Sequence, residues 1–169
     1  LQVGWGWFQI LLTVTFVLHI LLMNALFGGG LVALLGGLRR TGPQAAAASD
    51  IAHRVPTLIA LTVNAGVAPL LFLQVLYGHL FYTSSVVMAG WWFAIIPLLI
   101  LGYYAAYGVA LRYDSAARPL LSAFVVLVLA FIGFMFANNN TMAITPAAWT
   151  AWFDRPDGSE GEVTLTGFT

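Results

Sequence analysis

Four long stretches of the chain, residues 5 to 38, 56 to 77, 90 to 111 and 119 to 137, contain no aspartate, glutamate, lysine or arginine. An uncharged apolar run of about 18 residues or more is long enough to cross the hydrocarbon core of a bilayer as an α-helix. The pattern therefore predicts an all-α integral membrane protein whose four helices form an up-and-down bundle.

Composition supports an integral membrane protein and favours a single bundle. Hydrophobic residues make up 61% of the 169 residues and charged residues 7%, whereas about a quarter of the residues of a soluble domain are charged. We therefore expect one bundle in the lipid bilayer, no separate soluble domain and no nucleic-acid partner.

The chain has no cysteine, which excludes disulfides, iron–sulfur clusters and covalently attached c-type haem. The first span is too long to be a cleaved signal peptide, so we expect it to be retained.

The arginines predict the orientation of the bundle. Five of the six lie in the loops after the first and third predicted spans: Arg39, Arg40, Arg54, Arg112 and Arg118. The positive-inside rule places these loops in the cytoplasm, which leaves both termini outside a bacterial inner membrane. We expect an interfacial segment over residues 138 to 152 and an acidic periplasmic tail over residues 153 to 169. The tryptophans fall at the predicted outer ends of spans, where such rings favour the headgroup level: Trp5, Trp7, Trp91, Trp92, Trp149 and Trp152.

Histidines are the candidate functional residues. His19 lies inside the first predicted span, 20 residues before Arg39, or about 30 Å along a helix and thus in its outer half. His79 lies 25 residues beyond Arg54, about 37 Å along its helix and near the outer boundary. His53 is next to Arg54 at the inner surface, where water surrounds it. An imidazole inside the membrane requires a partner, because an unsatisfied polar group in lipid costs several kcal/mol.

Two interpretations of His19 are open. Imidazole is a common metal ligand, and a histidine inside a helical bundle is a way to hold a non-covalent haem. Apolar residues on the same helix offer a face for a porphyrin: Leu12, Phe16, Leu22 and Met23. Alternatively, His19 donates to a carbonyl, to Thr15 or to Gln74 and ties two helices together.

Several motifs resemble subunit I of the cytochrome bd quinol oxidases. Thr15 precedes His19 by four residues and Ile20, Leu21 and Leu22 follow it, as in the first helix of that family. Gly66, Val67 and Gly78 keep the spacing of its second helix, and Ala137, Asn138, Met142 and Pro146 resemble the end of its fourth. The resemblance covers most of residues 5 to 148. It implies a four-helix membrane fold in which His19 ligates a haem.

The chain also departs from that family. Gln74 to Phe81 replaces a family segment that contains a glutamate, and Leu99 and Tyr107 stand where the oxidase has two glutamates thought to carry protons to its oxygen-reducing haem. Reduction of oxygen to water consumes protons. A complete oxygen reductase is therefore not expected.

The resemblance and the departures together predict an electron relay. We expect a b-type haem near the periplasmic face, with His19 as one axial ligand and His79 as a candidate for the other. Met23, Met88 and Met142 are the alternative second ligands, because a thioether also ligates haem. Electrons would pass between quinone and a periplasmic multihaem c-type cytochrome. The rival prediction is a haem-free anchor or assembly subunit with the same fold.

Polar aromatic residues of the third span are candidates for a quinone contact. They are Tyr103, Tyr104 and Tyr107; the alternative for these residues is packing and hydrogen bonding between helices. Asn138 is a further candidate to receive a quinone carbonyl. Its alternative is a helix end capped by the side chains of Asn138, Asn139 and Asn140.

Overall fold

A computed structural model describes residues 4–38, 42–111 and 116–147. The chain forms four helices in these ranges: α1 (Trp5–Gly37), α2 (Pro43–Val87), α3 (Ala89–Leu111) and α4 (Arg118–Ala143). All four are long and apolar enough to cross a membrane, and no strand occurs in the described ranges. The predicted all-α four-helix membrane bundle is confirmed, and the protein is a multi-pass membrane protein.

Helices α2 and α4 are longer than their predicted spans. α2 starts at Pro43, well before the predicted start at residue 56, and Pro56 and Pro69 lie inside it. α4 continues through Asn138, Asn139 and Asn140 to Ala143, so the first part of the expected interfacial segment is helical. Trp149, Trp152 and the acidic tail lie outside the described residues.

The predicted outer loop after the second span is also helical. α2 is kinked at Tyr77, where φ is −131° and ψ is 27°. Beyond the kink the helix continues to Val87, and its buried side chains are those of Phe81, Ser84 and Val87. This last segment therefore packs against the bundle. The uncharged connection between the second and third predicted spans is thus a packed helix and not an exposed loop.

Helices α1 and α2 lie antiparallel and in contact along most of α1. A Cβ atom added to Gly36 would overlap with Ala48 of α2, and one added to Gly29 would lie 3.4 Å from Ile51. At the other end of the pair, the rings of Phe8 and Phe72 are 6.3 Å apart. Small residues at a helix interface allow two backbones to approach closely in a membrane, where the hydrophobic effect does not drive association.

A buried arginine joins α4 to the end of α1. Arg118 is only 8% exposed, and its guanidinium donates a hydrogen bond to the carbonyl oxygen of Gly37. Carbonyl groups at the end of a helix have no partner within the helix and carry a partial negative charge, so a cation there is favourable. The contact holds the end of α1 and the start of α4 together.

The glycine at the α1–α2 contact should be required for stability. Gly36→Ala should lower the free energy of unfolding by about 1 to 3 kcal/mol, because the added methyl group overlaps with Ala48 and forces the helices apart. Gly28→Ala is the matched control: no atom lies within 4 Å of its added Cβ, so its stability should stay the same or rise by up to ~1 kcal/mol. Unfolding of the purified protein in detergent would measure both. Equal effects of the two substitutions would contradict the assigned packing.

Candidate histidine site

His19 of α1 is hydrogen-bonded to the backbone of α2. Its Nδ1 lies 3.1 Å from the carbonyl oxygen of Thr62. Because a carbonyl oxygen only accepts, Nδ1 must carry the hydrogen, and the neutral ring then has its lone pair on Nε2. The imidazole thus ties α1 to α2, and its other nitrogen is left as an acceptor or ligand.

A glycine of α2 makes room for this ring. A Cβ atom added to Gly66 would lie 3.1 Å from Nδ1 of His19 and 2.8 Å from its Cε1, and the second distance is closer than real Cβ atoms approach. The ring therefore lies directly against the backbone of α2, one turn beyond Thr62. Thr62 is buried, and its hydroxyl has no hydrogen-bond partner in the described part of the chain.

Nε2 of His19 has the character of a metal ligand. No hydrogen bond to it is found among residues 4–38, 42–111 and 116–147. Histidines that bind metals almost always donate their other ring N–H to a carboxylate, a carbonyl or water, which fixes the tautomer and the ring orientation. The bond from Nδ1 to Thr62 is of this kind. The residues at hand therefore fit one axial bond to a haem iron.

The structure does not bring His79 to His19. The kink at Tyr77 lies 11 positions after Gly66, which contacts His19, or about 16 Å along the helix axis. His79 follows the kink and is exposed. Two axial ligands must face each other across a single iron, so this separation leaves His79 outside the His19 site.

The other second-ligand candidates have different positions. Met23 is half-buried one turn after His19 on the same face of α1, and two side chains on one helix face cannot reach opposite sides of an iron. Gln74, which the sequence offered as a hydrogen-bond partner of His19 and not as a second ligand, is half-buried in α2, three residues before the kink at Tyr77. Met88 and Met142 are buried. The described residues thus offer one candidate ligand nitrogen, Nε2 of His19.

Asparagines of α4 form a buried polar cluster near the end of α2. Asn138 donates from Nδ2 to the sulfur of Met88, 3.7 Å away, and Asn139 donates to the hydroxyl of Ser85, 3.3 Å away. Both asparagines are almost fully buried, and neither Oδ1 has a hydrogen-bond partner among the described residues. Asn138 lies inside α4, so the interpretation as a helix-end cap is wrong for it.

The tyrosines of α3 take part in two kinds of contact, and Tyr103 takes part in both. The rings of Tyr103 and Tyr107 are 5.2 Å apart at an angle of 55°, as expected for packing along one helix face. Tyr103 and Tyr104 also line an open groove of about 330 Å³ between α2 and α3, together with Asn64 of α2. Asn64 is not among the candidate residues predicted from the sequence, although an amide within an apolar span is a signal that could have identified it.

No protein-family model, characterised protein or solved structure matches this chain. The resemblance to the cytochrome bd oxidases therefore stays a prediction. Within the described ranges, no group of three or more histidine, cysteine or acidic residues is arranged to hold a metal ion. A haem bound through one imidazole and its porphyrin nitrogens does not need such a group.

A side chain at position 66 should displace the imidazole. Gly66→Leu should lower the free energy of unfolding by about 1 to 3 kcal/mol and raise the reactivity of His19 toward diethylpyrocarbonate. The measurement uses a chain in which His53 and His79 are replaced by glutamine. Gly133→Leu is the control, since nothing lies within 4 Å of its added Cβ. Unchanged reactivity in Gly66→Leu would contradict the contact.

The buried amide of Asn138 should cost stability rather than provide it. An unpartnered buried oxygen costs about 1 to 3 kcal/mol, and a thioether is a weak acceptor for the amide. Asn138→Leu, which removes both polar atoms, should therefore raise the free energy of unfolding by about 1 kcal/mol. Asn139→Leu, which also loses the bond to Ser85, should show a smaller gain. Marked destabilisation by Asn138→Leu would be incompatible with an unpartnered oxygen.

Proposed function

We propose that this protein is a membrane subunit of a respiratory electron-transfer complex. In this proposal it binds a b-type haem through His19 in a bacterial inner membrane. It relays electrons between the quinone pool and a periplasmic c-type cytochrome. The motifs shared with cytochrome bd subunit I support the proposal, and the geometry of His19 is the observation that carries it.

The state of the imidazole favours haem binding. When Nδ1 donates to the carbonyl of Thr62 at 3.1 Å, the lone pair of the neutral ring lies on Nε2. The hydrogen bond also holds the ring in one orientation and makes the nitrogen more basic. When bound, the haem would supply a one-electron redox centre. The chain supplies the tautomer through Thr62 and the room for the ring through Gly66.

The surroundings of His19 favour electron transfer over oxygen chemistry. Residues 5 to 38 contain no aspartate, glutamate, lysine or arginine, and the third helix has none from Ala89 to Leu111. Leu99 and Tyr107, where the oxidase has glutamates, provide no carboxylate to carry protons. A one-electron relay needs no such route, so the chain by itself is proposed as a relay subunit and not as an oxygen reductase.

A second candidate function is a haem-free anchor or assembly subunit. The contact of His19 with α2 also favours this function. The bond from His19 to Thr62 and the close fit at Gly66 hold α1 against α2 without any cofactor. Much of the apolar surface of α1 is exposed, including Val14, Val17 and Leu21. A partner subunit could cover that surface as well as lipid could.

An optical spectrum of the purified protein distinguishes the two functions. The relay predicts a Soret band and a reduced-minus-oxidised α band in the original chain. His19→Ala should lose both bands because the ligand nitrogen is gone. His53→Ala is the matched control, because His53 lies in the first part of α2, and this variant should keep both bands. His79→Ala should also keep them, since His79 lies about 16 Å or more along α2 from the His19 contact.

Helix content and elution volume would show that each variant is folded. A colourless original protein, purified with haem supplied during expression, would contradict the relay and favour the anchor. Bands that survive in folded His19→Ala would assign the haem to another residue.

A further inference from the structure

The groove between α2 and α3 contains polar side chains at a depth where lipid offers them no partner. Its wall is largely apolar and includes Ile59, Val63 and Ile100, but it also contains Asn64, Tyr103 and Tyr104. Asn64 and Tyr104 are exposed. Polar side chains inside the membrane are costly, and they mark sites where a ligand, an ion or another helix supplies the missing bonds.

The amide of Asn64 keeps hydrogen-bonding capacity for a ligand. One N–H donates to the carbonyl oxygen of Ala60 at 2.8 Å. A carboxamide has two N–H donors and a carbonyl acceptor, so one donor and the oxygen remain. The hydroxyls of Tyr103 and Tyr104 can both donate and accept, and that of Tyr103, which is hydrogen-bonded to Tyr107, keeps capacity for a further bond. The groove therefore offers hydrogen bonds of both kinds within a mostly apolar wall.

The size of the groove suits a small ring. Its volume of about 330 Å³ is at the lower end of the range of ligand sites, about 300 to 1,000 Å³. It is open on the exposed side of the bundle, where Val63 and Ile100 are 44% and 51% exposed. A molecule dissolved in the bilayer can therefore enter from the side, with an apolar tail left among the lipid chains.

We propose that this groove binds a quinone or hydroquinone by its ring. A quinone ring is flat and apolar and has two carbonyl oxygens, which would accept from the free N–H of Asn64 and from a tyrosine hydroxyl. A hydroquinone would donate to Oδ1 of Asn64. A lipid acyl chain fills such a groove but satisfies none of these groups.

The position of the groove relative to His19 supports a quinone as the ligand. This support rests on the proposed function, in which His19 binds a haem. Asn64 is two residues from Thr62 and two from Gly66, and two residues of a helix turn by about 200°. Asn64 thus lies on the face of α2 opposite to the contact with His19. A ring in the groove would be separated from the imidazole by about one helix diameter, roughly 10 Å.

The test is a titration of the full chain in lipid nanodiscs with a ubiquinone that carries a ten-carbon tail. Quenching of tryptophan fluorescence reports binding, and an azido derivative of the same quinone identifies the labelled peptides after illumination. Asn64→Leu and Tyr103→Phe should each weaken binding about three- to tenfold, the effect of one lost hydrogen bond. Ile100→Trp, which fills the groove, should abolish it.

Asn24→Leu is the matched control. Asn24 is an exposed amide of α1 that donates to the carbonyl of Ile20 at 3.0 Å, so it repeats the local structure of Asn64 outside the groove. Binding should be unchanged in this variant, and the label should fall within residues 59 to 64 or 99 to 104. Binding that the groove variants leave intact, equal losses in Asn24→Leu, or a label elsewhere would each overturn the proposal.

The outcome separates this inference from the proposed function. Haem bands without saturable quinone binding would overturn the groove assignment and leave the haem site. Quinone binding at the groove in a colourless protein would keep the groove and contradict the relay through His19. Loss of binding in Asn64→Leu supports the proposal when the variant keeps the helix content of the original protein. Tyr103→Phe, which keeps the ring and its packing, is the independent second variant.

Discussion

The close approach of α1 and α2 is the constraint on which the rest of the structure depends. In lipid, two apolar helices gain little from contact unless their backbones come close enough for dense packing and for hydrogen bonds between them. Gly36 and Gly66 provide this closeness at two depths, against Ala48 and against the ring of His19. A larger residue at position 66 would remove the bond from Nδ1 to Thr62, so the candidate function depends on a packing residue.

Most of the polar side chains within the helices are satisfied locally, and this makes the exceptions informative. Thr13, Asn24 and Asn64 each bond to the carbonyl four residues earlier, an arrangement that any helix in lipid allows. His19 instead bonds to a neighbouring helix. Such a bond between distant parts of the chain fixes a ring in space, which a ligand for a metal needs and a local bond does not provide.

The sequence predicts the helices well because charge and hydropathy determine what can lie in a bilayer, and the bounds of α1 and α3 agree with the uncharged runs to within a residue. It predicts less well where a helix leaves the membrane. The uncharged run predicts a second span from residue 56, but the helix that contains it already begins at Pro43. Hydropathy does not detect such an extension, because a helix outside the hydrocarbon core does not need a continuous run of apolar side chains.

The site is predictable to a smaller extent, since spacing along the chain does not report which faces meet. His19 was identified because an imidazole inside an uncharged run requires a partner, whereas its partner is a backbone carbonyl that no side-chain pattern reveals. The kink at Tyr77 and the position of Asn64 opposite to Thr62 depend in the same way on geometry. Because α2 contacts His19 on one face and lines the groove on the other, its thickness sets the separation between any two ligands bound there. One helix thus both fixes the position of the imidazole and forms a wall of the groove, which keeps the two sites at a set distance from each other.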